Sequence, residues 1–298
     1  MNVPQSGIFA LGTPAHAYLE FDAATGVSHE KLVTAVASIV AAQTTGGGAD
    51  VVIGLRPELW RTVAGGDAPT DVLGYTEPIV GIEGFSMPAT QHDAVVWIAG
   101  AAYDAVFDVS SSAIARLAEV ATLADETVGW PYRHNRDLTG FIDGSENPPV
   151  MDAASVAVIP DGRPGAGGSV LLLQKWIHET AKWVALCDDA QSNVIGRTKT
   201  GSIELDHKPP DSHVARTDQD VFGHILRRNM PFGQASIHGT MFVGFCASQR
   251  PLSAMLDSMA GRTTGVRDAL TRFSRPISGA YYFIPSLTSL GRFQSARA

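Results

Sequence analysis

Short apolar runs separated by segments of helical periodicity most narrow the folds open to this chain. Residues 16–22, 51–55, 94–99, 170–176, 241–247 and 281–284 each read as a strand, short enough and apolar enough to sit in a half-buried sheet. Between the first two, Ser28 is a helix-cap candidate with Glu30 in the first turn, near the positive end of the helix dipole. Leu32, Ala35, Val36, Ile39 and Val40 then fall on one helical face, and Gly46-Gly47-Gly48 ends it. A second amphipathic helix is expected after residue 99, capped near Ser110 to Ser112, with Ile114, Leu117, Ala118 and Ala121 on its apolar side. Residues 56–92, rich in Gly and Pro, read as an irregular connection. In the second half, residues 180–186, 252–259 and 266–273 read as helices and 221–227 as extended. Strand–helix–strand followed by strand–helix–strand predicts an α+β fold of split βαβ units with antiparallel sheets. The same alternation fits a doubly wound parallel sheet, but the glycine-rich nucleotide fingerprint of such folds is missing. The second half reuses the element order without any literal repeat.

At 298 residues the chain suits two ordinary domains or one large one. A formal charge of −8 leaves no basic surplus to meet phosphates, so a nucleic-acid partner is not expected. No apolar run approaches the length of a membrane span, and the first residues lack a basic cluster followed by an apolar stretch, so a cytoplasmic location is expected. Cys187 and Cys246 are far apart and outside any Cys-x-x-Cys pair. They could form one disulfide, but two buried free thiols are the expectation.

Gly140-Phe-Ile-Asp-Gly-Ser-Glu-Asn-Pro148 sets a carboxylate between two glycines. It reads either as a tight bend aiming Asp143 at a partner or as an Asx-type turn in a connecting loop. His207 and His213 flank a proline-containing loop. Neither lies in a multi-ligand metal spacing, and each fits a surface residue or a lone axial ligand to haem iron, which needs no second protein ligand. Arg227 and Arg228 end an apolar strand; they read as a solvated strand end, or as a cation held beside a buried carboxylate. Gly-x-Ser-x-Gly is absent, so a hydrolase has no anchor.

Six ordered blocks resemble one family: the segment 140–148 (GFIDGSENP), 195–199 (IGRTK), Ser212-His213, 227–233 (RRNMPFG), 267–273 (RDALTRF) and 279–286 (GAYYFIPS). In this order they are similar to the dye-decolourising peroxidases, and the compact length resembles their bacterial cytoplasmic B type. The resemblance implies two ferredoxin-like halves, 1–145 and 146–298, with haem b held mainly by the second.

Residue by residue, it implies that His213 is the proximal iron ligand and that Asp268 accepts its other ring N–H, strengthening the imidazole as a donor. Asp143 and Arg227 would be the distal pair, with Asn229 beside them and Phe242 over the distal haem face. Arg197 would meet a haem propionate or, equally, a nearby acid. The implied reaction reduces hydrogen peroxide through a ferryl intermediate and oxidises dyes, phenols or other small one-electron donors. Asp143 can act as a base only while ionised, which an ordinary carboxylate pKa of about 4 permits in acid, so an acidic optimum is expected. A haem-binding, haem-trafficking or iron-releasing protein with incidental peroxidase activity is the alternative. Trp130, Trp176, Trp183, Tyr281 and Tyr282 are oxidisable but read first as packing. A homo-oligomer is expected, whereas the short tail 293–298 speaks against cargo status in a protein nanocompartment.

Overall fold

The computed structural model describes residues 2–41 and 48–294. In chain order the first half runs β1 (Ala15–Ala23), α1 (His29–Ala41), β2 (Ala49–Leu55), α2 (Pro57–Ala64), β3 (Ile79–Val80), β4 (Ser86–Met87), β5 (Ala94–Gly100), α3 (Tyr103–Leu117) and β6 (Ala121–Gly129). Next come α4 (Ala153–Ala157), β7 (Ser169–His178), α5 (Thr180–Val184), α6 (Asp188–Ile195), α7 (His213–Arg216) and α8 (Gln219–Phe222). The chain continues with β8 (Leu226–Arg227), β9 (Met230–Gly233), β10 (His238–Cys246), α9 (Gln249–Met259), β11 (Ser274–Pro276), β12 (Ala280–Ile284) and α10 (Leu287–Gln294). No helix among the described residues is long and apolar enough to cross a membrane.

Strand order shows that the two halves share one plan. Spatially β2, β5, β1 and β6 are successive neighbours, as are β9, β10, β7 and β12, and these pairings are antiparallel. In either set the first strand in sequence lies between the third and the fourth, the split βαβ order expected of the α+β fold. Pairings at single positions, Leu55 with Phe283 and Gly129 with Phe232, join the sheets at both ends. With the pairing of β7 to β10, eight of the ten strands form one hydrogen-bonded circuit, to which β8 and β11 add at β10 and β7.

Three apolar layers follow from the alternation of side chains along these strands. Leu19, Phe21, Leu32, Val36, Trp60 and Leu290 fill the space between the first sheet and its helices, including α10 from the far end of the chain. Tyr18, Trp97, Leu171, Val243, Phe245 and Tyr282 pack between the two sheets. The other face of β7 carries Leu172 and Trp176, which meet Leu252 and Leu256 of α9. A single large apolar side chain so buried contributes about 1.5–3 kcal/mol.

The structure corrects several local expectations. The connection 56–92 contains α2, started by Pro57 in the first turn, where its missing N–H is not needed. The second helix begins at Tyr103, so Ser110 to Ser112 lie inside it, with the Ser110 hydroxyl donating to Val106 O at 2.7 Å, and Ala121 belongs to β6. Residues 221–227 are extended only at Leu226–Arg227, and 266–273 yield one 3-10 turn, Ala269–Arg272. Ser28 does cap α1, its Oγ accepting from Lys31 N at 3.2 Å; Gly46 and Gly47 lie outside the described residues. Both cysteines are free, and Cys187 is exposed at the start of α6, not buried as expected.

Candidate active site

The loop 131–148 is bent by backbone conformations that side chains resist. Arg133, His134 and Asn135 all have positive φ, of 38°, 56° and 62°, a region costly for L-residues other than glycine and concentrated at functional sites. Gly140 and Gly144 follow at 95° and 72°, which glycine adopts freely. The bend is pinned from outside. Arg136 donates to Gly140 O at 2.7 Å and to Thr200 O at 2.9 Å. Asn147 pairs its side-chain amide with the backbone of Arg227 in both directions, each bond 2.8 Å, tying the loop to β8.

That staple brings Asp143, Arg227 and Asn229 to one wall of a cavity. Asp143 Oδ1 accepts from Gly144 N at 2.8 Å and from Asn229 Nδ2 at 3.2 Å. Asn229 is itself oriented, because its Oδ1 accepts from Val243 N at 2.9 Å. Arg227 Nε is buried without a partner, and its guanidinium makes no ion pair among the described residues. Strand alternation sends Arg228 the other way. It is buried rather than at a solvated strand end, donates to Ile8 O at 3.0 Å and lies 5.0 Å over the Trp97 ring.

In the same cavity lining, Ser212 caps α7 and thereby sets the direction of His213. His213 Nδ1 lies 2.7 Å from Asp268 Oδ2, while Asp268 Oδ1 accepts from Leu270 N at 2.8 Å. Asp268 is fully buried, so both oxygens are fixed. His213 lines the cavity, and its Nε2 has no protein partner among the described residues.

Leu172, Val214, Ile225, Phe242, Leu252 and Leu256 supply apolar walls to a cavity of about 1250 Å³, its mouth included. Gly244 leaves room for one of them, since a Cβ there would stand 2.7 Å from the Phe242 ring. Arg197 also reaches the lining, but its guanidinium is committed to Glu146, to Glu204 at 3.4 Å and to Ser202 O at 2.8 Å. His207 is exposed and away from the lining.

Two cavity residues escaped the sequence reading. Burial pushes the His178 ring down to about 4, and its Nε2 lies 3.0 Å from Thr240 Oγ1. Asp137 lines the same cavity; burial, then the neighbouring Asp143 charge, push its carboxyl up to about 6 against hydrogen bonds from Thr139. Asp137 lies just upstream of the block that stood out, but only folding reveals that it lines the cavity.

The cavity pairs a backed imidazole with an opposed carboxylate and an uncommitted guanidinium. Such a set can donate a lone pair from one side and move a proton and stabilise an anion on the other. Among the described residues no group of three or more His, Cys, Asp or Glu could hold a bare metal ion, so any metal here must bring most of its own ligands.

The chain resembles known proteins over most of its length. Residues 134–289 match the family model described as Dyp-type peroxidase, C-terminal. The dye-decolorizing peroxidase of Mycolicibacterium paratuberculosis is 35% identical, the match covering 80% of this chain and 70% of that protein. That of Rhodococcus erythropolis is 34% identical over 80% of this chain and 73% of its own length. Among solved structures, the dye-decolorizing protein from V. cholerae superposes with a TM-score of 0.88 at 31% identity, covering 97% of this chain and 99% of that one. A Rhodococcus jostii DypB variant in complex with heme gives 0.85 at 30% identity, covering 96% and 98%. With its fold, site geometry and relatives in agreement, the chain belongs to the Dyp-type peroxidases, enzymes that use hydrogen peroxide as oxidant.

Proposed function

We propose that the cavity holds haem b and that the chain reduces hydrogen peroxide there at the expense of small one-electron donors such as dyes and phenols, best in acid. The observation that carries this reading is one cavity lined by Arg227, whose buried Nε has no partner, by Asp143, and by an imidazole whose Nε2 has no protein partner among the described residues. Apolar walls on both sides suit a flat macrocycle, and one free imidazole nitrogen suits a metal that already has four donors. Haem bound there supplies the redox chemistry, accepting two oxidising equivalents from peroxide and passing them on singly to donors.

The protein's own residues do the rest. Asp268 accepts the Nδ1–H of His213, which fixes the tautomer and leaves the Nε2 lone pair as the donor that would hold the haem iron. Asp143, ionised, takes the proton from the inner oxygen of peroxide and returns it to the outer one. Asn229, held by Val243 N, keeps the Asp143 carboxylate oriented. Arg227, whose guanidinium makes no ion pair among the described residues, stabilises the negative charge that grows on the departing oxygen. Phe242 would cover one face of a bound haem, and Arg197 would give up Glu146 to meet a propionate. Haem storage or transfer would need only His213 and apolar walls, so the polar pair favours catalysis.

An absorption spectrum before and after adding peroxide tests this. The wild-type protein with haem should show a haem band that changes within the first turnover. Asp143→Ala and Arg227→Ala should keep the resting band and slow the change, Arg227→Ala by about 10²–10³-fold if it acts as a single charge-stabilising donor. No slowing in either variant would remove both from the mechanism.

A further inference from the structure

Several polar side chains that reach the cavity are already spent. The hydroxyls of Thr217, Thr271 and Ser274 each donate to a backbone carbonyl. Gln219, in α8, is different. It is only 5% exposed and lines the cavity. Its Oε1 accepts from Ile225 N at 3.0 Å, which fixes which end of the amide is which, and its Nε2 has no partner among the described residues. The other glutamine of the lining, Gln174, also has an orphaned Nε2, but that atom is sealed off by its surroundings, whereas Gln219 Nε2 is not.

The setting of that amide is apolar. α8 packs against α9, whose Leu252, Met255 and Leu256 line the same cavity with hydrocarbon. The adjacent acid, Asp218, is engaged elsewhere: it accepts from Asp220 N at 3.0 Å and lies 3.6 Å from Lys208 Nζ. An amide N–H left among apolar walls costs free energy unless the occupant of the cavity meets it.

We propose that Gln219 is a haem-binding residue whose Nε2 donates a hydrogen bond to one propionate. This rests on the haem reading above. The periphery of haem b carries methyl, vinyl and propionate groups, and of these only a propionate can accept an N–H. Its two propionates are neighbours on the ring, and the two donors for them flank one element of the protein. Arg197 follows Gly196, where a Cβ would stand 3.1 Å from Val214 Cβ in α7, and Gln219 opens α8, the next helix after α7. Arg197 must give up Glu146 to take a carboxylate. Gln219 receives one without breaking any bond of the protein, because its Oε1 stays on Ile225 N.

Equilibrium titration with haem and with its dimethyl ester, in which both carboxylates are capped, separates this role from a structural one. Gln219→Glu keeps an acceptor for Ile225 N but replaces the donor with a carboxylate, which is ionised at pH 8. It should bind haem at least about 10-fold more weakly than the wild type, the loss of a hydrogen bond to a charged group. That deficit should largely disappear with the ester. Gln219→Leu, which also loses the bond to Ile225 N, should show a larger deficit with haem than with the ester. In resonance Raman spectra of the loaded protein, the propionate bending mode should shift in both variants. Equal deficits with haem and ester, or no deficit in Gln219→Glu, overturns the proposal. If Gln219→Glu did not fold, Gln219→Leu would decide by the same comparison. A wild-type chain that binds neither porphyrin would instead overturn the haem reading, and this proposal with it.

Discussion

The two halves of this protein use the same strand order to opposite ends. In the first, α1 and α3 are continuous helices of 13 and 15 residues, and their apolar faces close onto the sheet with Leu19, Phe21, Leu32 and Val36 fully buried. In the second, the first crossover, residues 179–225, is broken into four short helices, α5 to α8. Residues of this broken crossover, with others from β7, β10 and α9, line the cavity, which lies beside the smaller core formed by β7 and α9. A fold unit becomes a binding site here by interrupting one helix, not by changing its sheet.

The sharpest way to break this contrast is His213→Ala. It should abolish the haem band while leaving the far-ultraviolet circular dichroism unchanged, since the hollow half owes its strands to pairing rather than to His213. Retention of the band would mean that the metal ligand lies elsewhere.

Filled and hollow halves should also differ in their tolerance of lost volume. Phe21→Ala should destabilise by about 3–5 kcal/mol in denaturant unfolding, the usual result in a packed core. Leu256→Ala, equally buried but bordering the cavity, should fall at the low end of about 2–5 kcal/mol for its class, because the space it leaves joins one already present. Equal losses would show that the cavity wall is as tightly packed as the core.

Acid probes the filled half through His16, which is buried in a stack with Trp97 and held by Thr13 O at 2.8 Å. Burial lowers its pKa from 6.5 to about 4, so the folded state keeps the ring neutral while the unfolded chain takes up a proton below about 6.5. Stability should therefore fall as pH drops from about 6.5 to about 4 and level off below, a span of about 3 kcal/mol at most. His16→Gln should remove most of that slope; His178, at the cavity, supplies an independent contribution of the same sign. A slope unchanged in His16→Gln would assign the acid sensitivity to the hollow half.

The smallest effect is expected at Asp268. In Asp268→Asn one oxygen must serve both His213 Nδ1–H and Leu270 N–H, and the other donor meets an amide NH₂. Haem affinity or peroxide reactivity should drop about 10–100-fold, the usual consequence of losing such a partner, read by haem titration against the wild type.

Much of this was legible in the chain because the relevant signals are local. Apolar runs gave β1, β2, β5, β7, β10 and β12 to within a few residues, and the glycines at 140 and 144 announced a bend. Helix α2 was hidden by its length and its proline, and β6 by a polar, half-exposed sequence, ATLADETVG. The residues of the site came from ordered family blocks, since a lone axial histidine leaves no spacing to read. Arg228 and Asp137 were out of reach for a different reason. What distinguishes Arg228 from Arg227, or Asp137 from any loop aspartate, is enclosure by segments far away in sequence.

The single-position joint between β2 and β12 has a consequence for how the molecule is made. β12 lies between β7 and β2, and α10 packs beside α1, with Gln294 donating to Ala37 O at 2.9 Å. During synthesis, both sheets are therefore left with an open edge until β12 has emerged. Contacts at such sequence separation form slowly, and unpaired edges invite association with other chains meanwhile. The nascent protein depends on its own final strand to end that exposure, so late arrest of translation is more hazardous to it than early arrest.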